Sequence, residues 1–434
     1  MNNTYITNAT LAVAPEAEEL DICLGAGDCP TSVEVNGHPL PGVLSVARGG
    51  SMEIPAGAQV INAKGKVLMP ALFDLHSQIE IPGRSKRECI MRAGQAAIQG
   101  GVWGMLVMPS SAFCFDNAAT LDSFHEAVAA RSAAEMVPAC CISLGMQGEQ
   151  QAPYNTLSTT RGVSILSDGQ SYPTNTLMLY RAMQYAAELG LTFAVRGDLP
   201  ALSEHTYAHP SATAYRLGLR PCPPCAEEIG LETLIRMAED TGAKLHLQLV
   251  STAEGVEIIR RAKARGKARL TAEVALHHLL YTHENIGDYD TVYKTIPPLR
   301  DKADCEALLA GVKDGTIDCI VSAHTPCTPF AKKQDFITAP QGMVALDHFL
   351  PALYTYLVKP GLLSWAELVR ACCTNPASIA NPHDLEEDVP STAPLLLFDP
   401  AAECVVSEAT LPCGTLNSPL LGRTLLGGIT LPLR

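Results

Sequence analysis

Between residues 67 and 323 one pattern recurs eight times: a short apolar run, followed by a segment of helical periodicity or a polar connection. The runs are VLMPALFDLH, GVWGMLVMP, MVPACCISLG, GVSILSD, LTFAVRG, KLHLQLV, RLTAEVA and IDCIVSA. Continuous rather than alternating apolar character is what strands need when both faces of their sheet are covered, as in parallel sheets wrapped by helices. The segments KRECIMRAGQAAIQG, TLMLYRAMQYAAELG, EEIGLETLIRMAEDTG, AEGVEIIRRAKARG and CEALLAGVKDG supply those helices. They place apolar residues at i, i+3 and i+4 and close on Gly, which accepts the left-handed conformation of a helix cap. Eight such units predict an α/β fold, a (β/α)8 TIM-type barrel over residues 67–385. Function in that architecture gathers at the carboxyl ends of the strands.

The two chain ends read differently. Residues 1–66 contain short alternating runs broken by Gly, Pro and Asn, as in TSVEVNGHPLPGVLSVARGGSMEI. Residues 386–434 repeat that texture in PLLLFDPAAECVVSEATLPCGTLNSPLLG. Such runs are strands joined by tight turns. The expectation is a small composite β-sandwich domain built from both chain ends, since termini often lie close together.

Composition removes several functions. With 45 acidic against 31 basic side chains the net charge is −14, while 47% of residues are hydrophobic. That much apolar surface argues for a large core and against disorder. The basic deficit argues against nucleic acid and anionic membrane, whose phosphates must be neutralised. No run approaches the roughly 18 apolar residues of a spanning helix, and the first residues lack the basic start of a signal peptide. The 15 Cys are odd in number, and several, such as Cys140, Cys141 and Cys319, sit inside apolar runs. They read as free thiols in a reducing compartment, so a cytoplasmic location is predicted. The lone Cys222–Cys225 pair is a poor zinc signal without a second pair.

The strand ends carry the chemistry. They read DLHSQIEIPG (Asp74–Gly83), VMPSS (Val107–Ser111), SDG (Ser167–Gly169), HLQLVST (His246–Thr252) and TAEVALHHLL (Thr271–Leu280). IPPLR (Ile296–Arg300) and AHTPCT (Ala323–Thr328) follow. In this order they resemble the amidohydrolase superfamily, and within it the dihydroorotase group with its hydantoinase and allantoinase relatives. The group's motifs are D-x-H-x-H-x-R-x-P-G, MPNT, SDDG, HxxHVST, TAEVTPHHL, NPPLR and DHAPHT. The likeness spans residues 55–430. It implies a barrel that opens cyclic amides with one or two divalent metals, commonly zinc, which polarise the carbonyl and activate water.

Carried over position by position, the resemblance also implies what is missing. Of the two first-strand His ligands, His76 is present and the second corresponds to Gln78. The fourth-strand acid corresponds to Asp168, the fifth-strand His to Arg196 and the sixth-strand His to Leu249. His246 matches a position that the family does not use for metal. The eighth-strand Asp, ligand and general base in the family, corresponds to Ala323. A catalytic zinc needs at least three protein ligands, and a guanidinium repels a divalent cation. Positions that hold substrate in the family correspond to Glu80, Ser110, Ile296 and Cys327. Replacing Arg by Glu80 sets like charge against a carboxylate. No catalytic residue and no metal or other cofactor is therefore expected. His76, Asp168, Arg196, His246, His277 and His324 would form a remnant pocket, with His278 as scaffold. Arg196 is expected to pair with Asp168 and Asp198. Residues that set loop geometry, Pro82-Gly83, Pro109, Pro297-Pro298 and Asn375-Pro376, are retained.

The resemblance implies a non-catalytic dihydroorotase-like protein, a pseudoenzyme of pyrimidine biosynthesis. Such forms assemble with the aspartate transcarbamoylase catalytic subunit in a complex with six copies of each chain, so that subunit is the expected partner and the chain an expected oligomer. The alternative is an active cyclic amidohydrolase acting on a cyclic amide or ureide, with a rearranged or absent metal site; zinc is expected only in that case. Cys327 could then serve as a nucleophile only with a base beside it. A third reading is a small-molecule sensor that uses the pocket without chemistry.

Overall fold

The computed structural model describes residues 3–13, 19–25, 32–35, 38–41, 43–161, 163–380 and 394–433. Each of the eight apolar runs contains a strand. In chain order these are Leu72–Ser77, Val102–Val107, Glu135–Pro138, Ile165–Leu166, Thr192–Arg196, Lys244–Gln248, Arg269–Ala275 and Cys319–Val321. Neighbours pair in parallel from the first to the third and from the fourth to the eighth. Two isolated parallel bridges, Cys140 to Leu166 and Ser77 to His324, join these two sheets and close the barrel. Every residue of the first, second and eighth strands is buried. The inner face meets packed side chains and the outer face meets helices, so the runs show no alternation.

The helices begin where the sequence offers a side-chain acceptor for their free N–H groups. Ser85, Asn117, Asn175, Thr252 and Asp301 cap helices Lys86–Gln99, Ala118–Arg131, Thr176–Glu188, Ala253–Arg265 and Lys302–Asp314. Gly242, Gly266 and Gly315 end three helices with φ of 74°, 63° and 81°. Strand one is tied to strand eight by a buried carboxylate. Asp74 accepts from the Ser322 backbone N–H at 2.8 Å, and from the Ser322 and Ser77 hydroxyls at 2.5 Å each.

Strands from both ends of the chain meet in one seven-stranded sheet. Its order runs Thr424–Leu433, Leu395–Val405, Val67–Pro70, Thr4–Leu11, Leu20–Leu24 and Val43–Arg48, with Gln59–Asn62 also beside Thr4–Leu11. It has its own core of Ile6, Ile22, Val43, Leu68, Leu395 and Leu397. A separate antiparallel pair joins Ser32–Val35 to His38–Pro41. The run VLMPALFDLH is divided between the two units. Val67–Pro70 pairs with Leu395–Phe398 in the end sheet, and the barrel begins at Leu72. Pro70 has no N–H to continue a ladder, and the next N–H, on Ala71, donates to Pro394 O at 2.9 Å. The other expected boundary, at residues 385 and 386, lies outside the described residues. Among the described residues no helix is long and apolar enough to cross a membrane.

Candidate functional site

The barrel mouth is organised around a carboxylate inside the TAEVALHHLL motif to which the resemblance gave no role. Glu273, in the middle of the seventh strand, is wholly buried. Its two oxygens meet His76 Nδ1 at 2.6 Å and His246 Nε2 at 3.0 Å. The other nitrogen of His246 is spent on Thr271 Oγ1 at 2.8 Å. Burial alone would raise the carboxyl pKa, but the two imidazoles reverse that and hold it at about 2. A Glu followed by the apolar end of the strand RLTAEVA is the available sequence signal, because an acid inside a barrel must find partners.

A cavity of about 20 Å³, room for about one water, lies above this cluster. Its walls include His76, Arg196, Leu249, His277, Ile296 and Ala323. No carboxylate lines it, and Arg196 supplies its charge. Arg196 Nη2 lies 3.3 Å from Asp198 Oδ2, so one half of the expected ion pair is present. The other half is not. Asp168 turns away toward the third strand, where it accepts from Ser143 N–H at 3.0 Å and from Ser143 Oγ–H at 2.6 Å. Two donors on one residue satisfy both its oxygens, so Asp168 has no need of the guanidinium.

Of the remaining predicted positions, His277, Ile296 and Ala323 stay in the cavity wall and others lie away from it. Glu80 is not a wall of the cavity. It accepts from Ser111 Oγ–H at 2.8 Å and Ala112 N–H at 2.8 Å. Burial raises its pKa, but Ser110, Ala112, Ser111 and the Lys86 charge together lower it. The Gln78 backbone N–H donates to His324 O at 2.8 Å. Cys327 is buried, and burial pushes its thiol up against the lowering effect of the nearby Lys332 charge. His278 Nε2 faces Pro297 O at 3.2 Å; burial and the nearby Arg300 charge depress it to about 4. Burial also holds His277 well below its ordinary value and His324 at about 3. All three are neutral near pH 7.

Two wall residues keep an unusual backbone. Leu249 and Ala323, where the resemblance expects a His and an Asp ligand, have φ of 52° and 47°. Side chains with a Cβ rarely adopt this region, and each costs on the order of 1–2 kcal/mol there. Surrounding hydrogen bonds enforce it. Beyond Leu249, Val250 N–H donates to Glu273 O at 2.9 Å. Ser251 and Thr252 N–H donate to the buried Glu227 at 3.0 and 2.9 Å, and Arg300 of IPPLR donates from Nε to Ser251 Oγ at 3.0 Å. Glu227, an acid outside every motif, holds the loops that follow strands six and seven.

The mouth does not fit a catalytic zinc. Its cavity presents two imidazoles, His76 and His277, beside a permanent cation and no acid, short of the charge and ligand number such a centre needs. Among the described residues, two other groups bring three potential ligand atoms together: His324, Asp347 and Cys413, and His209, Asp301 and Asp304. In the second group the acids are occupied as a capping box at the start of helix Lys302–Asp314.

Comparison with known proteins agrees with this architecture. A family profile described as Dihydro-orotase-like matches residues 65–255. The dihydroorotase of Pelotomaculum thermopropionicum is 35% identical over 382 residues, covering 88% of this chain and 89% of that protein. That of Leifsonia xyli is 34% identical over 377 residues, covering 86% of each. Among solved structures, an L-hydantoinase from Arthrobacter aurescens superposes with a TM-score of 0.79 at 18% identity, covering 100% of this chain and 95% of that one. A dihydropyrimidinase from Brevibacillus agri gives 0.77 at 20% identity, covering 98% and 92%. These structural likenesses speak for the fold, and the sequence relatives speak for the family. The chain belongs to the dihydroorotase family.

Proposed function

We propose that this chain is a non-catalytic member of the dihydroorotase family, kept as a structural partner of aspartate transcarbamoylase in pyrimidine biosynthesis. The observation that carries the reading is Arg196, whose guanidinium stands in the wall of the mouth cavity beside His76. A partly buried cation there opposes a divalent metal by direct repulsion where solvent screens less than in bulk. It is anchored by Asp198, so it is not free to swing aside without leaving that acid unpaired. The eighth-strand residue that would take a proton from water is Ala323, which has no group to do so. General acid and base groups without a metal contribute about 10²–10⁴-fold, and here even those are spent: both His76 and His246 are bound to Glu273.

The partner half of the proposal rests on the family resemblance. Segments beyond the strand ends carry Tyr215, Phe330 and Ile337 more than half exposed.

The test has two arms. Purified protein supplied with zinc is assayed for ring opening of dihydroorotate, and turnover indistinguishable from buffer is expected. Turnover that disappears in His76→Ala would establish the active alternative. Mixing with aspartate transcarbamoylase from the same source and sizing the mixture should give one larger species; two unshifted peaks would remove the partner claim.

A further inference from the structure

Behind the mouth, three ligand-bearing side chains converge from parts of the chain far apart in sequence. His324 follows the eighth strand, Asp347 lies on the turn Leu346–His348, and Cys413 lies on the loop by which the C-terminal segment crosses back to the barrel. Each is 1% exposed. One donor atom from each lies within 4.8 Å of the other two. Two polar atoms of this cluster, His324 Nδ1 and Asp347 Oδ2, have no hydrogen-bond partner. Buried polar atoms are otherwise nearly always paired, because water is not there to replace the missing bond. The neighbouring bonds are made. Asp347 Oδ1 accepts from Cys413 N–H at 3.0 Å, and Cys413 Sγ lies 3.3 Å from Thr415 Oγ1. The backbone of His324 is bridged to both Ser77 and Met343, which fixes the point from which its ring reaches the cluster.

We infer that His324, Asp347 and Cys413 form a structural zinc site that pins the C-terminal segment to the barrel. The donor set of one imidazole nitrogen, one carboxylate oxygen and one thiolate sulfur suits zinc; sulfur disfavours magnesium and calcium. Zinc bonds of about 2.0–2.3 Å in a tetrahedron separate neighbouring donors by roughly 3.3–3.7 Å. The three atoms are therefore within about 1.5 Å of a ligating arrangement, a distance that side-chain rotation covers. A metal held through His324 Nδ1 and Asp347 Oδ2 would satisfy both orphaned atoms. The Cys413 thiol loses its proton to solvent as the Zn–S bond forms, and the fourth position falls to a water or the Thr415 hydroxyl.

The position explains what the ion would do. The same loop is already clamped to the barrel by Asn417, whose Nδ2 donates to Thr325 O at 2.9 Å and Gly342 O at 3.2 Å. Its Oδ1 accepts from Cys327 N–H at 3.3 Å. A metal on Cys413 adds a second fastening that reaches the segment next to strand eight. It requires neither an active nor an inactive mouth.

Cobalt(II) reports the site directly, because a thiolate ligand gives a charge-transfer band in the near ultraviolet. Full-length protein stripped of metal and titrated with cobalt should bind one equivalent with that band. The band should vanish in Cys413→Ser, and affinity should fall on the order of tenfold or more in Asp347→Asn. It should be unchanged in Cys327→Ser and in His76→Ala. Protein purified without chelator should carry about one zinc, lost in Cys413→Ser. The inference is overturned by a band that survives Cys413→Ser or disappears in His76→Ala. It is overturned equally by the absence of any thiolate band at saturating cobalt. Should Cys413→Ser fold poorly, Asp347→Asn and the zinc content of the unaltered protein decide the matter alone.

Discussion

Replacing Glu273 by Gln tests the central claim about the mouth, that one buried carboxylate holds two histidines from different strands. The amide has the size and shape of the protonated acid, so the substitution removes the ionised state and little else. Its cost follows from the pKa. A carboxyl that titrates near 4.5 in the unfolded chain and at about 2 in the fold has its charged form favoured by about 3 kcal/mol, at roughly 1.4 kcal/mol per unit. Two charge-assisted hydrogen bonds, at about 1.5–3 kcal/mol each, give the same order. Unfolding entropy of about 2.1 cal/mol/K per residue over 434 residues amounts to about 0.9 kcal/mol/K, so the melting temperature should fall by about 3–4 °C. The sign with pH is fixed by the direction of the shift. A depressed carboxyl stabilises fully above its unfolded pKa, and that contribution is lost as pH falls from about 4.5 toward about 2. By pH 3.5 about 1.4 kcal/mol of the difference between wild type and Glu273→Gln should be gone. Thermal unfolding of both proteins at pH 7.5 and pH 3.5 measures this. A variant melting within a degree of wild type at pH 7.5, or a gap just as wide at pH 3.5, would refute the bridging role.

Three further outcomes are expected. In Gly230→Ala the new Cβ would lie 2.2 Å from Asp198 N. Helix Cys225–Thr241 must then shift against the segment that anchors Arg196, which should cost about 1–3 kcal/mol, read as a lowered melting temperature; an unchanged value would show that the helix gives way freely. Among the described cysteines Cys225 alone is exposed, so an aromatic disulfide reagent should modify it in a fast phase whose amplitude falls by one thiol in Cys225→Ser; an amplitude that the substitution leaves unchanged would contradict that exposure. His277 and His278, neutral and depressed in the fold, make the protein acid-labile. A lowered imidazole stabilises fully above about pH 6.5, and each group then takes away about 1.4 kcal/mol per pH unit as pH falls toward its folded value. A melting temperature that stays flat from pH 6.5 to 5 would contradict this.

Much of the mouth is legible in the amino-acid sequence. Arg196 occupies a position where the resemblance implies a metal ligand, and it stands in the cavity wall, paired with Asp198. The reason is periodicity: a strand of the barrel sends alternate side chains inward, so a residue's place in its run fixes its face. Partnership is less legible. The pairing of Asp168 with Arg196 fails because Ser143, on the neighbouring strand's end, holds that acid instead. Sequence identifies an acid that must be neutralised or bonded; it does not say which of several donors lies nearer.

The sequence by itself determined the barrel, the composite sheet at the chain ends and the family, because these follow from local pattern: apolar runs, helix periods, caps and ordered motifs. Glu273 between His76 and His246, with 197 and 27 residues separating the partners, was decided only by tertiary structure. So was the meeting of His324, Asp347 and Cys413. These contacts depend on which strands the closed barrel brings side by side, and on where the returning C-terminal segment lands. Neither is encoded in any stretch of chain short enough to read alone.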